Sequence, residues 1–388
     1  MNFILLTDNF HPTINSGSII MGDLARELAD SGNCITVITF VDKQANKIQD
    51  STHGSVRVIR IRMRLRRFGM IGRLISEISY SMNIMGALKK IKNIECDVII
   101  CYSPSIFFGS AVKWIKKTFN VKAYLILRDI FPKWVVDAEI IRKGLLYRYF
   151  KRIESRLYDH SDFIGIESKS DIDYFKAYFE DDQLEVLYNW GSPIKSIPMR
   201  EEGTRSDIIK ILYGGNMGHA QDLFRLIKNI DLDLLNDKAK ITLVGSGNQK
   251  EMIADFIQSN HIKSIEVLPE VKREEYLRML HEADIGLVSL NKRLKSNNFP
   301  LKLMGYLQLS KPTIASVNEG NEIIDLIDEH SIGLVSIAGE KEELNNNLER
   351  LISDRKLRER QGRNAYELFN EKFTVHVAAK QILRRVQS

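Results

Sequence analysis

Residues 211–223 read ILYGGNMGHAQDL. An apolar run stops at Gly214 and Gly215, and a stretch typical of a helix starts again near Gln221. Because glycine carries no side chain, backbone N–H groups there can come close to a ligand, and a helix N-terminus favours an anion. A strand–turn–helix corner without any ligand has the same pattern. This segment alone leaves both interpretations open.

The alternation of this segment continues along the chain in both directions. Short apolar runs alternate with amphipathic stretches, such as the helix predicted over 19–29, and this is typical of parallel α/β sheets. The predicted strands before residue 193 are 3–7, 34–40, 56–63, 98–101, 123–127 and 163–167, and those after residue 205 are 208–213, 240–244, 265–268, 285–289, 312–315 and 333–335.

A polar segment with prolines and a glycine, around 193–205, separates the two alternations. A chain of 388 residues is also long for one core. We therefore predict two Rossmann-like domains, over 1–195 and 205–365, that face each other across a cleft. The tail is expected to be helical, with a C-terminal helix over 366–388 that can return to the first domain. Ligands of such sheets bind at the carboxyl ends of the strands.

Net charge, cysteine content and apolar segments exclude only a few classes of protein. The net charge of +6 fits an anionic partner as well as an ordinary solvated surface. The three cysteines, Cys34, Cys96 and Cys101, have no metal-site spacing to any histidine, so we expect reduced core cysteines in a cytosolic protein without a metal. The first apolar run predicts a buried strand and not a signal peptide, and no segment predicts a membrane-spanning helix.

Candidate site residues lie in the loops that follow the predicted strands. Gly17 and His11 follow the first strand, Asp129 follows 123–127, and Gly245 lies in a second glycine turn, LVGSG. A loop histidine or carboxylate can handle a proton or bind a sugar hydroxyl, but solvated residues and a helix cap give the same pattern. The glycines of LVGSG are explained by the tight turn alone.

Lys302 is a more specific candidate. Pro300 opens a short predicted helix, and Lys302 falls in its first turn, where a cation is unfavourable to the helix dipole. A nearby anion such as a diphosphate would offset this repulsion. An ordinary solvated lysine is the alternative.

A run of arginines without an acid marks the first half of the chain. Those between residues 57 and 73 include an alternating set that predicts one basic face of a strand, and the candidates for contact with an anion are Arg60, Arg62, Arg64, Arg66 and Arg67. Beside apolar residues, such a face suits an anionic membrane or a polyprenyl diphosphate. Nucleic acid would call for aromatic stacking or a reading motif, and neither is found. A merely solvated face remains open.

The motifs taken together resemble a known family. They are RDIFP at 128–132, LYNW at 187–190, YGGNMGHAQDL at 213–223, LVGSG at 243–247, LPEVKREEYLRMLHEADIGLVSL at 268–290 and FPLKLMGYLQLSKPTIAS at 299–316. This order resembles the retaining glycosyltransferases of family 4, which have the GT-B fold, over nearly the whole chain. Within that family the chain looks most like bacterial O-antigen and capsule enzymes, particularly L-fucosamine transferases.

The resemblance implies a division of labour between the domains. The second domain would bind a nucleotide-sugar and the first domain the acceptor, without a metal or a further cofactor. Lys302 matches the lysine that contacts the donor diphosphate, and Gly17 matches the glycine of the acceptor-domain loop. The remaining donor-binding candidates are Gly214, Gly215, Asn216, His219, Gln221, Gly245, Glu270, Val271 and Pro300.

The chain also departs from the family pattern. Two glutamates that usually flank the lysine would fall at Asn297 and Gly305, so ribose recognition must differ. Asn216 and Gln221 stand where the family has cations. These departures indicate a variant subgroup, in which Lys302 is the remaining cation on the diphosphate.

The function implied is transfer of a sugar, with retention, from a UDP-sugar to a lipid-linked saccharide in O-antigen or capsule assembly. The sugar would be N-acetyl-L-fucosamine or a related amino sugar, and the enzyme would be peripheral on the cytoplasmic face of the inner membrane. Preorganised donors on the departing UDP, namely Lys302 and the 214–216 amides, would supply the largest catalytic term. A GT-B-fold UDP-sugar epimerase and a non-catalytic partner subunit are the alternatives.

Overall fold

The computed structural model describes residues 1–387 apart from 14, 44–45, 64–68, 129, 138–141, 192–193, 195–207 and 295–299. The chain divides into two compact units. The first comprises Met1–Ser192 and Val375–Ser388, and the second comprises Pro193–Thr374. The linker predicted around 193–205 lies almost wholly outside the described residues.

The first unit is built on one sheet, in which every neighbouring pair is parallel except for one antiparallel edge strand. Its described strands follow the order β3 (Ile48–His53), β4 (Val56–Arg62), β2 (Cys34–Val41), β1 (Asn2–Leu6), β5 (Val98–Ser103), β6 (Lys122–Leu127), β7 (Phe163–Ile166) and β8 (Leu184–Val186). The strand order reverses between β1 and β5, so the loops after these two strands diverge and leave a crevice at the carboxyl edge.

Helices cover both faces of this sheet, which is why its strands are apolar on both faces. One face packs on α3 and α4 through Tyr80, Phe108 and Ile115, and the other packs on α1 through Leu24 and Leu28. The helices are α1 (Ser16–Asp30), α2 (Gly69–Ile78), α3 (Tyr80–Leu88), α4 (Gly109–Phe119), α5 (Lys133–Asp137), α6 (Leu145–Asp159) and α7 (Ile172–Phe175).

The second unit has a wholly parallel sheet. Its described strands follow the order β11 (Ile265–Leu268), β10 (Ala239–Val244), β9 (Ile209–Gly214), β12 (Ile285–Ser289), β13 (Thr313–Val317) and β14 (Gly333–Ile337). The order reverses between β9 and β12, and this places the turn after Gly214 at the switch point, where such sheets bind ligands. The helices are α8 (Leu223–Asn229), α9 (Lys250–Ser259), α10 (Arg273–Glu282), α11 (Lys302–Gln308), α12 (Glu322–His330), α13 (Lys341–Ser353) and α14 (Arg355–Lys372).

The last helix, α15 (Val375–Gln387), belongs to the first unit. Its apolar face, which includes Ile382, packs into the same core as α1. At the surface, His376 Nδ1 lies 2.8 Å from Glu27 Oε1, and Gln381 Nε2 donates to Val186 O at 2.8 Å. The first unit thus includes both ends of the described chain.

The predicted α/β fold with two Rossmann-like sheets and a helical tail is confirmed. All twelve predicted strands are present, and the sequence patterns missed β3 and β8. β3 (IQDSTH) is a mostly exposed antiparallel edge strand, and β8 has three residues, so neither produces an apolar run. Cys96 and Cys101 are buried as expected, but Cys34 is exposed. No helix of the described residues is long and apolar enough to cross a membrane.

Candidate functional site

The switch point of the second unit carries a tight turn. β9 ends at Gly214, and α8 begins at Leu223, two residues later than the sequence suggested. The difference arises because the N–H groups of Gln221 and Asp222 both donate to Gly218 O, at 3.1 Å each, and form a separate turn. This turn therefore lies between Gly215 and the N-terminus of α8.

The second glycine turn, LVGSG, packs directly against the first. A Cβ on Gly245 would lie 2.0 Å from Gly215 O, and a Cβ on Gly247 would lie 2.5 Å from the Met217 backbone. Both glycines have positive φ, +147° and +146°. Met217 N also donates to Ser246 O at 2.7 Å. Gly245 thus positions the turn. Its own N–H donates to Leu268 O at 3.3 Å.

Lys302 and Tyr213 form the polar centre of the site. Lys302 Nζ donates to Tyr213 Oη at 2.8 Å and lies 4.1 Å from the centroid of the Tyr213 ring. The Tyr213 hydroxyl in turn donates to Asn216 O at 2.5 Å. A Cβ on Gly215 would lie 3.7 Å from Lys302 Cε, so the turn and the lysine share one surface.

The Lys302 side chain is half-buried, and no carboxylate among the described residues pairs with it. Desolvation lowers the pKa of its amine to about 8. A desolvated cation that lacks an anion is costly unless a ligand supplies one. The predicted position of Lys302, the first residue of α11, is as observed, and the chemistry of the centre suits an anion.

Asn216 and Gln221, which stand where the sequence resemblance leads one to expect cations, bond to each other. Asn216 Nδ2 donates to Gln221 Oε1 at 3.0 Å, and Gly218 N donates to the same oxygen at 3.3 Å. A Cβ on Gly218 would lie 2.8 Å from Asn216 Nδ2. The amide pair closes the turn and presents N–H groups in place of charges. Gly215 N–H is already used by Val244 O at 2.9 Å, so it is not an open donor.

The turn is also tied to the strand across the switch point. Ser289 Oγ donates to Gln221 O at 2.5 Å, and Asn291 Nδ2 donates to His219 O at 2.9 Å. The His219 side chain is exposed beside this tie. The turn is therefore held from β10 on one side and from β12 on the other.

The other donor-site candidates lie around the same edge of the sheet. Glu270 and Val271 are in the loop between β11 and α10, exposed and half-buried respectively. Pro300 precedes α11, and its carbonyl accepts from Leu303 N at 2.9 Å. At Gly305 a Cβ would lie 3.0 Å from Leu280 Cδ2, so a glutamate there would press on Leu280. Asn297 lies outside the described residues.

Two residues of the centre were missed by sequence reasoning. Tyr213 was taken only as a strand residue, and Tyr276, from α10, fills the space at Gly214, where a Cβ would lie 2.3 Å from its ring. Burial raises the pKa of the Tyr276 phenol to about 12, so it stays neutral. For Tyr213 the sequence does contain a signal, a tyrosine next to a glycine in a predicted buried strand. A buried tyrosine hydroxyl needs a hydrogen-bond partner.

The first unit places Gly17 and His11 at the carboxyl edge of its sheet. Gly17 is in the first turn of α1, where a Cβ would lie 3.2 Å from Tyr102 Cε1. The His11 ring stacks on His53 with centroids 4.0 Å apart. Asp129 lies outside the described residues. Among the described residues, no group of histidine, cysteine and carboxylate side chains could hold a metal ion.

The structure corrects the expectation for Arg60. The predicted basic strand face includes it, but its side chain is buried, and its guanidinium donates to His11 O at 2.9 Å and to Ser51 Oγ at 2.8 Å. Arg60 fixes the loop after β1 and is not exposed basic surface. Arg62, at the end of β4, is half-buried. Arg64, Arg66 and Arg67 lie outside the described residues.

Comparison with known proteins identifies the second unit. Residues 197–368 match the family of glycosyl transferases group 1. The matched residues all lie in the second unit. A protein named "Probable glycosyltransferase WbjE" from Pseudomonas aeruginosa is 23% identical over 239 residues, which are 59% of this chain. The match spans 57% of the length of that relative.

Solved structures share the fold of the whole chain. The trehalose-6-phosphate structure from E. coli "bound with UDP-2-fluoro glucose" superposes with a TM-score of 0.75 at 11% identity, over 100% of this chain and 99% of that chain. WaaG, "a glycosyltransferase involved in lipopolysaccharide biosynthesis", superposes with a TM-score of 0.66 at 14% identity, over 100% of both chains. These likenesses establish the GT-B fold.

Tyr213→Phe tests whether the Tyr213 hydroxyl holds Lys302 and the turn together. We expect affinity for UDP to fall by about tenfold, since one hydrogen bond to a charged group is lost. Calorimetric titration with UDP measures this. The matched control is Tyr306→Phe, which also removes a buried hydroxyl, bonded to Leu212 O at 3.0 Å, in the same core. Equal UDP affinities in the two variants would contradict a specific role for Tyr213.

The buried Lys302 amine predicts a pH dependence. Because its pKa is lowered to about 8, UDP binding should weaken as the pH rises through about 8 and the charge is lost. Folding stability should change in the opposite direction, rising from pH 8 towards the unfolded pKa, because the unfolded chain binds the extra proton there. Calorimetry between pH 6.5 and 9.5 measures binding, and Lys302→Met should abolish its pH dependence. An unchanged profile in that variant would contradict the assignment.

Proposed function

We propose that the chain is a retaining glycosyltransferase that takes its sugar from a UDP-sugar. The observation that carries the proposal is the Lys302 ammonium, which lies without a carboxylate partner among the described residues beside the Gly215–Asn216 turn. This is a site for the diphosphate of the donor. The group 1 domain and the UDP-sugar bound in the E. coli relative support it.

The chemistry follows from the charge on the leaving group. As the bond to the sugar breaks, negative charge grows on the UDP phosphates, and Lys302 stabilises that charge. The Asn216–Gln221 amide pair supplies further N–H groups. In this scheme no carboxylate acts as nucleophile, and the departing phosphate takes the proton of the acceptor hydroxyl on the same face of the sugar. Retention of configuration is the outcome.

The acceptor is proposed to be a lipid-linked saccharide bound by the first unit. The sugar is N-acetyl-L-fucosamine or a related amino sugar, in O-antigen or capsule assembly on the cytoplasmic face of the inner membrane. The basic segment after β4 and the apolar side chains of α2 and α3 support this. Ile75 is 49% exposed and Met82 is 65% exposed, and such residues beside cations suit a lipid surface.

Lys302→Ala tests the donor site. We expect the turnover to fall by about a hundredfold or more, because one preorganised donor to the developing charge is lost. A UDP-release assay with a panel of UDP-sugars and a lipid-linked acceptor measures turnover, and thermal unfolding checks that the variant folds. The matched control is Lys263→Ala, which removes an exposed lysine of the same unit. Near-parental turnover in Lys302→Ala would sink the assignment.

The same assay separates the alternative functions. A transferase releases UDP only when an acceptor is present, apart from slow hydrolysis. An epimerase converts the UDP-sugar without releasing UDP, and a non-catalytic subunit does neither. Stabilisation of the fold by one UDP-sugar over the others identifies the donor, because a ligand that binds only the native state raises the unfolding temperature.

The membrane proposal is tested at the segment after β4. Replacing Arg64, Arg66 and Arg67 with serine should weaken binding to vesicles that contain anionic lipid, by up to about 1 kcal/mol for each charge. Vesicle sedimentation measures it. Arg60→Ser is the matched control, because Arg60 is buried: it should lower the unfolding temperature and leave vesicle binding unchanged. If the triple variant binds as the parent does, the segment is only a solvated surface.

A further inference from the structure

Two sequence segments that the donor site does not use meet in the first unit. Arg128 of RDIFP follows β6, and Leu187–Trp190, the LYNW segment, follows β8. Arg128 Nη1 donates to Leu187 O at 2.8 Å, and its Cζ lies 5.7 Å from the centroid of the Trp190 ring. The two segments therefore form one cluster.

The sheet register places this cluster at the carboxyl edge. Ser103 pairs with Leu127, and Ile126 pairs with Gly165, so the ends of β5, β6 and β7 lie level with one another. Asn189, in the LYNW segment, donates through Nδ2 to Glu167, which follows β7. Parallel sheets bind ligands at this edge, in the loops that follow the strands.

Several polar atoms of the cluster are buried without a hydrogen-bond partner among the described residues. They include both N–H groups on one edge of the Arg128 guanidinium, and the full set is Arg128 Nε, Arg128 Nη2, Trp190 Nε1, Asn189 Oδ1 and Ser103 Oγ. Buried donors are nearly always bonded, because an unmade hydrogen bond costs more than a made one contributes. Five such atoms around neighbouring strand ends call for a ligand or for ordered water.

The geometry points to an oxyanion-binding site at Arg128 and Trp190, occupied by the anionic group of the saccharide acceptor. The Nε–Nη2 edge of a guanidinium matches two oxygens of a carboxylate or a phosphate. No carboxylate among the described residues pairs with Arg128, so the positive charge is available. The Asn189 carbonyl and the Ser103 hydroxyl can accept from sugar hydroxyls beside the anion.

This assignment rests on the proposed function, because it takes the ligand to be the acceptor of that reaction. The anion could be the diphosphate that links the saccharide to its lipid, or the carboxylate of an acidic sugar. Both present two oxygens to the guanidinium edge. The two sources predict binding of different probes: inorganic pyrophosphate for the lipid diphosphate, and glucuronate for the acidic sugar.

The experiment uses the full chain with Lys302→Ala, so that binding of a diphosphate at the donor site does not contribute. Calorimetric titration with inorganic pyrophosphate, with glucuronate and with glucose measures binding. We expect one of the two anions to bind and glucose to bind much more weakly. Adding Arg128→Gln should lower the affinity for that anion by at least about tenfold, since a charge-assisted pair is lost.

Two further variants make the test specific. Trp190→Phe keeps an aromatic ring but removes the indole N–H, and it should lower the affinity a few-fold. The unfolding temperature should fall no further than it does for a conservative core substitution. Arg156→Gln removes an exposed arginine from α6 of the same unit and should change nothing. If Arg128→Gln fails to fold, Trp190→Phe alone carries the test.

The probe that binds identifies the anionic group of the acceptor. Tight binding of pyrophosphate assigns the lipid diphosphate, and tight binding of glucuronate assigns an acidic sugar. If neither anion binds, or if Arg128→Gln and Trp190→Phe both bind as the parent does, water satisfies the cluster and the proposal is overturned. Failure of the proposed function is distinguishable, because it would appear as absence of UDP binding by the chain with Lys302 intact.

Discussion

The proposed donor site depends on one interaction, the contact of the Lys302 ammonium with the Tyr213 hydroxyl and ring. It places a cation in a half-buried position without a carboxylate among the described residues, where less water stabilises the charge than at an open surface. The rest of the second unit is arranged around that contact. β9 supplies Tyr213, α11 supplies Lys302, and the turn between β9 and α8 closes over both.

The precision of the turn comes from backbone packing and not from charge. Gly245 and Gly247 leave no room for a side chain because the first turn lies directly against them. Ser289 and Asn291 bond the same turn from the other side of the switch point. A turn held in this way fixes the Asn216 and Gln221 side chains, which bond to each other. Preorganised polar groups of this kind are what stabilisation of a developing anion requires, because no reorganisation is then needed during the reaction.

The sequence predicted the strands well because parallel strands, buried on both faces, leave continuous apolar runs. β3 was not predicted because it is an exposed edge strand with mostly polar residues. In the site, Lys302 was found because a cation in the first turn of a helix is unfavourable by itself. Tyr213 and Arg60 could not be assigned in the same way. The partner of a buried hydroxyl is set by tertiary packing, and an alternating arginine pattern is identical whether the strand face is covered or open.

The substitution of amides for the family's cations has a physical consequence. With three cations, each would share the diphosphate charge, and their mutual repulsion would have to be balanced in the free enzyme. Here Asn216 and Gln221 bond to each other, so these two side chains hold the turn without opposing charges. In the proposed function, Lys302 then carries the charge by itself. Because its pKa is lowered to about 8, a bound anion would raise its proton affinity, and the proposed donor binding would be coupled to protonation of one lysine.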